Sequence, residues 1–158
     1  MTRPMETPKK IAETIAETLK ESGIEADLFY VKDVKKLNAK NYNFLVLGSP
    51  TKFGTMSLAI RLFLGKIKSK EWGNKPFAAF DTENPENIER AQAENKEWSA
   101  AEKISEKLRD KEMTQLLPVL KAAVLDKKGP LVEGEVEKTK DYARELAAKV
   151  KQSNDGGQ

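Results

Sequence analysis

The sequence has 158 residues, enough for one domain with a hydrophobic core. Its 28 basic and 25 acidic residues are interspersed, and the net charge of +3 is too small to indicate a nucleic-acid-binding surface. Cysteine and histidine are both absent, which excludes disulfides, thiolate chemistry, zinc sites built on these residues and histidine-based triads. Because no apolar run approaches a membrane span and the first residues do not resemble a signal peptide, we expect a cytoplasmic protein without a membrane or nucleic-acid partner.

The first half of the chain alternates between helix and strand patterns. Thr7-Pro8 followed by Ile11, Ile15 and Leu19 predicts an amphipathic helix that stops at Gly23. Three short apolar runs and one longer helical pattern follow. They predict, in order, a strand over Glu25–Val31, a buried strand over Phe44–Leu47, a helix from Ser57 to about Lys68 and a buried strand over Pro76–Phe80.

The second half begins with a polar insertion, residues 83–97, and then continues the alternation. The patterns predict a helix over Ser99–Lys111, a strand over Val119–Leu125, a turn at Lys127–Pro130 and a helix over Glu133–Lys151. We expect residues 1–151 to form the domain and residues 152–158 to be a disordered tail.

This order of elements predicts an α/β fold, an open parallel sheet with right-handed crossovers and helices on both faces. Ligands of such sheets bind outside the carboxyl ends of the strands. Three segments of this sequence are predicted to lie there.

The first candidate site runs into the amino terminus of the first helix, where free backbone N–H groups favour an anion such as phosphate. An ordinary helix start explains the same residues equally well. Glu6 opposes a phosphate, although Arg3, Lys9 and Lys10 offset its charge. The residues of this candidate are Thr2, Arg3, Pro4, Met5, Glu6 and Thr7.

The second candidate site, residues 48–57, leaves a buried strand and enters a helix, so its backbone N–H groups, hydroxyls and one aromatic ring are predicted at the ligand edge. In the alternative interpretation, Phe53 covers the core and Ser57 caps the helix. The candidate binding residues are Ser49, Pro50, Thr51, Lys52, Phe53 and Gly54.

The third candidate site is Asp81-Thr82-Glu83, directly after the strand that ends at Phe80. Turn backbone groups there could contact the polar edge of a heterocycle held by the second loop. The alternative is an ordinary turn or helix cap, which Asp and Thr also favour.

At these loops the sequence resembles the flavodoxin-like superfamily over nearly all of Thr2 to Val150. Residues 48–57 are similar to the family's second flavin-binding loop, especially in quinone reductases related to the tryptophan-repressor-binding flavoprotein. Three other segments resemble small prokaryotic flavodoxin-domain proteins, namely Ala78–Thr82, Ser99–Ile104 and Lys128–Glu135.

The resemblance implies FMN as cofactor. By that likeness, residues 2–7 would hold the phosphate, residues 50–54 would touch the isoalloxazine, and Asp81 and Thr82 would lie on its far side. The family's phosphate loop reads Ser/Thr-x-Thr-Gly-Asn-Thr, whereas here Met5 and Glu6 stand at the Gly and Asn places and Pro4 removes an amide donor.

The family also has an apolar, central strand before this loop, and the present sequence begins at the loop. The alternatives are an N-terminally truncated sequence, which we favour, a rearranged fold, or a strand supplied by a partner.

The predicted function is FMN-dependent electron transfer with a redox partner protein or a small-molecule acceptor. No side chain is predicted to be catalytic. The sequence is compatible with an oligomer. Two alternatives remain at this stage. One is an NAD(P)H-dependent quinone oxidoreductase, and the other is a flavin-free interaction domain.

Overall fold

The structure, a computed structural model, describes residues 6–34, 37–50, 56–83, 99–123 and 134–156. Its helices are α1 (Glu6–Glu21), α2 (Leu58–Leu64), α3 (Ser69–Trp72), α4 (Ala100–Asp110) and α5 (Glu135–Gly156), with 3-10 turns at Val31–Asp33 and Ala39–Asn41. Its strands are β1 (Leu45–Pro50), β2 (Pro76–Glu83), β3 (Thr114–Gln115) and β4 (Leu120–Ala123). The fold is therefore α/β, as the sequence predicts.

The described strands form one parallel sheet with β2 in the middle. β1 pairs with one edge of β2, from Leu45 opposite Phe77 to Pro50 opposite Thr82. On the other edge β3 pairs with the first residues of β2, and β4 pairs with its last four. β3 and β4 thus act as one strand interrupted before Leu120, where Pro118 lacks an N–H to donate.

Helices cover both faces of this sheet, and side chains of β2 alternate between them. Phe77 and Ala79 pack in a core cluster with residues of α2, α3 and α4. Ala78 and Phe80 pack on the opposite face with residues of α1 and α5. The open parallel sheet with helices on both faces is as expected, and β2 is buried on both sides.

The predicted strand over Glu25–Val31 is wrong. Residues 24–30 form no helix or strand and pair with no strand among the described residues, and Val31 begins a 3-10 turn. Leu28, Phe29 and Tyr30 are 40, 48 and 42% exposed. A run of apolar residues forms a strand only where a neighbouring strand offers backbone partners, and the described part of the chain offers none to this run.

The two strands that the sequence predicts to be buried, β1 and β2, continue beyond their predicted ends. β1 extends through Gly48, Ser49 and Pro50, which the sequence pattern assigns to a turn, and β2 extends through Glu83. Because each strand offers the other a parallel partner as far as Pro50 and Thr82, pairing outweighs the local preference of Gly, Ser and Pro for turns.

The predicted helix from Ser57 to about Lys68 is two helices in the structure. Ser57 is the N-cap of α2, and its Oγ accepts a hydrogen bond from the Ile60 amide at 3.4 Å. Gly65 ends α2 by donating its amide to the Arg61 and Phe63 carbonyls, and α3 begins only at Ser69. The Ser57 cap agrees with the alternative interpretation of the second loop, and the glycine stop was missed.

The C-terminal half matches its prediction more closely. α4 begins after the predicted cap Ser99, whose Oγ accepts from the Glu102 amide at 3.2 Å. β3 was missed because two residues carry too little pattern. α5 runs to Gly156, past the predicted end at Lys151, because the first strong helix stop is the Gly156-Gly157 pair.

Three predicted features lie outside the described residues. They are most of the polar insertion, the turn at residues 127–130 and the last two residues of the chain. Among the described helices, none is both long and apolar enough to cross a membrane.

Candidate functional site

The carboxyl ends of β1 and β2 lie side by side. Ser49 is opposite Asp81 and Pro50 is opposite Thr82 in the parallel register. Residues of the second and third candidate sites are therefore direct neighbours, as the sequence predicts for two strands of one parallel sheet. This edge is where a ligand of such a sheet binds.

Ser49 closes the loop that leaves β1. Its side chain is fully buried, donates a hydrogen bond to the Pro50 carbonyl at 2.8 Å and accepts one from the Ser57 amide at 3.0 Å. Ser57 in turn caps α2. The hydroxyl of Ser49 thus fixes the distance between the end of β1 and the start of α2, and so holds both ends of the candidate loop.

Asp81 anchors helix α4 to the end of β2. Its carboxylate is fully buried, and Oδ2 accepts a hydrogen bond from the Ala101 amide at 3.0 Å. Ala101 lies in the first turn of α4, where the helix dipole favours a negative charge. The Asp81 side chain is therefore directed into the protein, while Thr82, 5% exposed, points to the opposite face of the strand.

Glu83 is the last residue of the third candidate site. It is the last residue of β2 and only 7% exposed. Burial raises its pKa from 4.5 to about 7, the nearby charge of Asp81 adds to the increase, and Lys121 opposes it. A carboxyl group with such a pKa both donates and accepts protons near neutral pH. Because the sequence prediction ends the strand at Phe80, it assigns Glu83 to a loop.

A close contact at this edge explains why residue 48 is a glycine. The ring of Phe80 lies directly over it, and a Cβ added to Gly48 would be 2.0 Å from Cζ of that ring. A glycine inside a strand is a known signal of such close approach, although the sequence pattern alone does not name the partner.

Several candidate residues lie outside the part of the chain that the structure describes. Glu6 and Thr7 are the first two residues of α1, so the predicted helix start is displaced by one or two positions. The remaining phosphate-site residues and the centre of the second loop lie outside the described ranges, namely Thr2, Arg3, Pro4, Met5, Thr51, Lys52, Phe53 and Gly54.

Comparison with protein-family models and with curated proteins finds no match to the sequence. The fold, in contrast, is similar to that of solved structures. A flavodoxin from the domain Archaea is 24% identical with a TM-score of 0.72, over 92% of this chain and 91% of that one. Flavodoxin 1 from Bacillus cereus is 18% identical with a TM-score of 0.69, over 90% of each chain.

A larger protein contains the same fold. Rubredoxin:oxygen oxidoreductase from Desulfovibrio gigas is 18% identical with a TM-score of 0.70, and the match covers 92% of this chain but 33% of that one. These similarities and the parallel sheet show that the chain has a flavodoxin-like fold.

Proposed function

We propose that this chain, which has a flavodoxin-like fold, binds FMN at the carboxyl edge of its sheet and carries electrons in the cytoplasm between a donor and a redox partner protein or small acceptor. The observation that carries the proposal is the register of β1 and β2. It sets Ser49-Pro50 beside Asp81-Thr82 at the ligand-binding edge.

In this proposal the described residues hold the segments around the flavin in position, and their side chains need not contact the flavin directly. The buried Ser49 hydroxyl holds both ends of the loop at residues 50–57, and Asp81 holds α4 against the end of the neighbouring strand. A scaffold of this kind sets the separation of Pro50 and Ser57, the two ends of the loop. FMN would supply the redox chemistry, and no side chain of the chain needs to act as nucleophile.

Acidic residues at this edge would affect the reduction potential of a bound flavin. Asp81 and Glu83 are acids at the end of β2, with Lys121 on the neighbouring strand β4. Carboxylates close to a ligand disfavour added negative charge on it. We therefore expect this edge to lower the reduction potential of bound FMN, which suits a carrier that donates electrons.

FMN binding is tested by titrating FMN into the purified chain and following the quenching of flavin fluorescence and the visible absorption spectrum. Ser49→Ala is expected to weaken FMN binding by roughly tenfold, because it removes the buried hydrogen bonds that close the loop. Ser22→Ala is the matched control. It also removes one side-chain-to-backbone hydrogen bond, from Oγ to the Thr18 carbonyl at 2.9 Å, but at the far end of α1.

A chain that neither quenches nor shifts the flavin spectrum contradicts the proposal and favours the flavin-free interaction domain. If the FMN-loaded protein instead oxidises NADPH directly with a quinone as acceptor, the oxidoreductase alternative replaces the carrier.

A further inference from the structure

Helix α2 exposes two leucines to solvent. Leu58 and Leu62 are 67 and 63% exposed, more than any other large apolar side chain among the described residues. They are four positions apart, so they lie one turn from each other on the same face of the helix. The opposite face of α2 is buried through Ile60, Phe63 and Leu64. Packing on the sheet therefore accounts for the buried face of α2 but not for the two exposed leucines.

Basic side chains flank these leucines, and all of them are exposed. They are Arg61, Lys66, Lys68 and Lys70. Glu71 is the only acidic residue of the sequence between positions 57 and 72. Arg61 follows Leu58 by three positions and therefore lies on the same side of the helix as the leucines. We call the two leucines and the four basic residues the α2 face.

A crevice adjoins the α2 face at Lys66. Most of its lining is apolar, and it includes Val34, Leu37 and Trp72. The crevice offers a partner apolar contacts beyond the two leucines. The α2 face is therefore apolar at its centre with charged groups around it, which is the usual arrangement of a protein-protein docking surface.

The α2 face begins at the candidate ligand edge. The amide of Ser57, directly before Leu58, donates a hydrogen bond to the buried Ser49 hydroxyl at 3.0 Å. Ser49 in turn lies opposite Asp81 near the end of β1. A partner that contacts Leu58 would therefore lie beside the loop to which the proposed function assigns FMN.

We propose that the α2 face is the docking surface for a redox partner protein whose own surface is acidic around exposed apolar side chains. This inference rests on the proposed electron-carrier function. Basic groups steer an acidic partner toward the face and disfavour a basic one. Burial of the two leucines against apolar side chains of the partner then adds short-range attraction.

A second copy of the chain and a membrane fit the α2 face less well. Two copies related by a two-fold axis through this face would place its basic groups against one another, and like charges across an interface repel. A helix that binds in a membrane surface inserts its apolar face. The larger apolar face of α2 is already packed in the core.

The test measures binding of the full chain, without added FMN, to two immobilised probe proteins by surface plasmon resonance. One probe is an acidic two-iron ferredoxin, and the other is a basic cytochrome c. We expect the chain to bind the ferredoxin and not the cytochrome. The affinity for the ferredoxin should fall by roughly tenfold as the salt concentration is raised, because salt screens the attraction between exposed charges.

Substitutions on and off the α2 face locate the docking surface. Leu62→Ser and Arg61→Glu should each weaken ferredoxin binding by roughly tenfold, and Arg61→Glu should also reduce its dependence on salt. Leu28→Ser, at a leucine that is 40% exposed, is the control for the first substitution. Lys149→Glu, at an exposed lysine of α5, is the control for the second. Neither control should change binding, and thermal denaturation checks that every variant is folded.

The inference is overturned if the ferredoxin does not bind, or if a control weakens binding as much as its matched variant. It is also overturned if Leu62→Ser abolishes binding to phosphatidylglycerol vesicles or self-association of the chain, which would assign the α2 face to a membrane or to a second copy. A chain that fails to bind FMN contradicts the proposed function. A chain that binds FMN but not the ferredoxin contradicts this inference alone.

Discussion

The strands that pair with the two edges of β2 differ in length and in burial. On the side of β3 and β4 the sheet ends in short strands that cover β2 along most of its length, and seven of the eight residues of β2 are buried. On the other side β1 has an equally apolar composition, yet only two of its six residues are buried. Burial of a strand thus depends on its neighbours as much as on its own residues, and single substitutions can measure the difference.

The largest difference is expected between the register partners Phe77 and Leu45. Phe77 is fully buried, so Phe77→Ala should lower the free energy of unfolding by about 3–5 kcal/mol, whereas Leu45→Ala at a half-buried position should cost about 1–2 kcal/mol. Urea denaturation of both variants measures this. Equal losses would show that β1 is as enclosed in solution as β2.

The second prediction concerns the acidic end of β2. The pKa of Glu83 is about 7 in the folded protein and ordinarily 4.5, so the folded state binds more protons between these values. The free energy of unfolding should therefore fall by up to about 3 kcal/mol as the pH rises from about 4.5 to above 7. Glu83→Gln should remove this loss, which denaturation at several pH values detects.

Glu106→Gln is the matched control for that pH dependence. Glu106 is exposed on α4, so its replacement should leave the pH profile of stability unchanged. A wild-type profile that is flat between pH 4.5 and 7 would mean that Glu83 is more solvated than the structure shows.

A smaller effect is expected where β1 and β2 touch through Gly48. Gly48→Ala forces a methyl group against the Phe80 ring and should cost about 2 kcal/mol. In a Phe80→Leu background the cost of Gly48→Ala should shrink, since the flat ring above the glycine is gone. Thermal denaturation of the double-mutant cycle gives the coupling, and additive losses would contradict the contact.

Much of the site was predictable because it depends on local signals. Ser57 and Ser99 follow the preference of serine for helix N-caps: the predicted Ser99 cap is confirmed, and the Ser57 cap agrees with the alternative interpretation of the second loop. The adjacency of Ser49 and Asp81 follows from a parallel sheet. The direction of the Asp81 carboxylate, into α4 rather than toward a ligand, was not predictable, because it depends on where a helix twenty residues later begins.

The sequence alone determined the α/β alternation, the strand character of β1 and the buried character of β2, because these depend on periodicity and on short-range capping. The tertiary structure decided which apolar runs become strands. Residues 24–30 and residues 45–50 carry similar apolar patterns, yet only the second run forms a strand. Hydrogen bonds of a sheet join segments distant in sequence, so a strand exists only where a partner lies beside it.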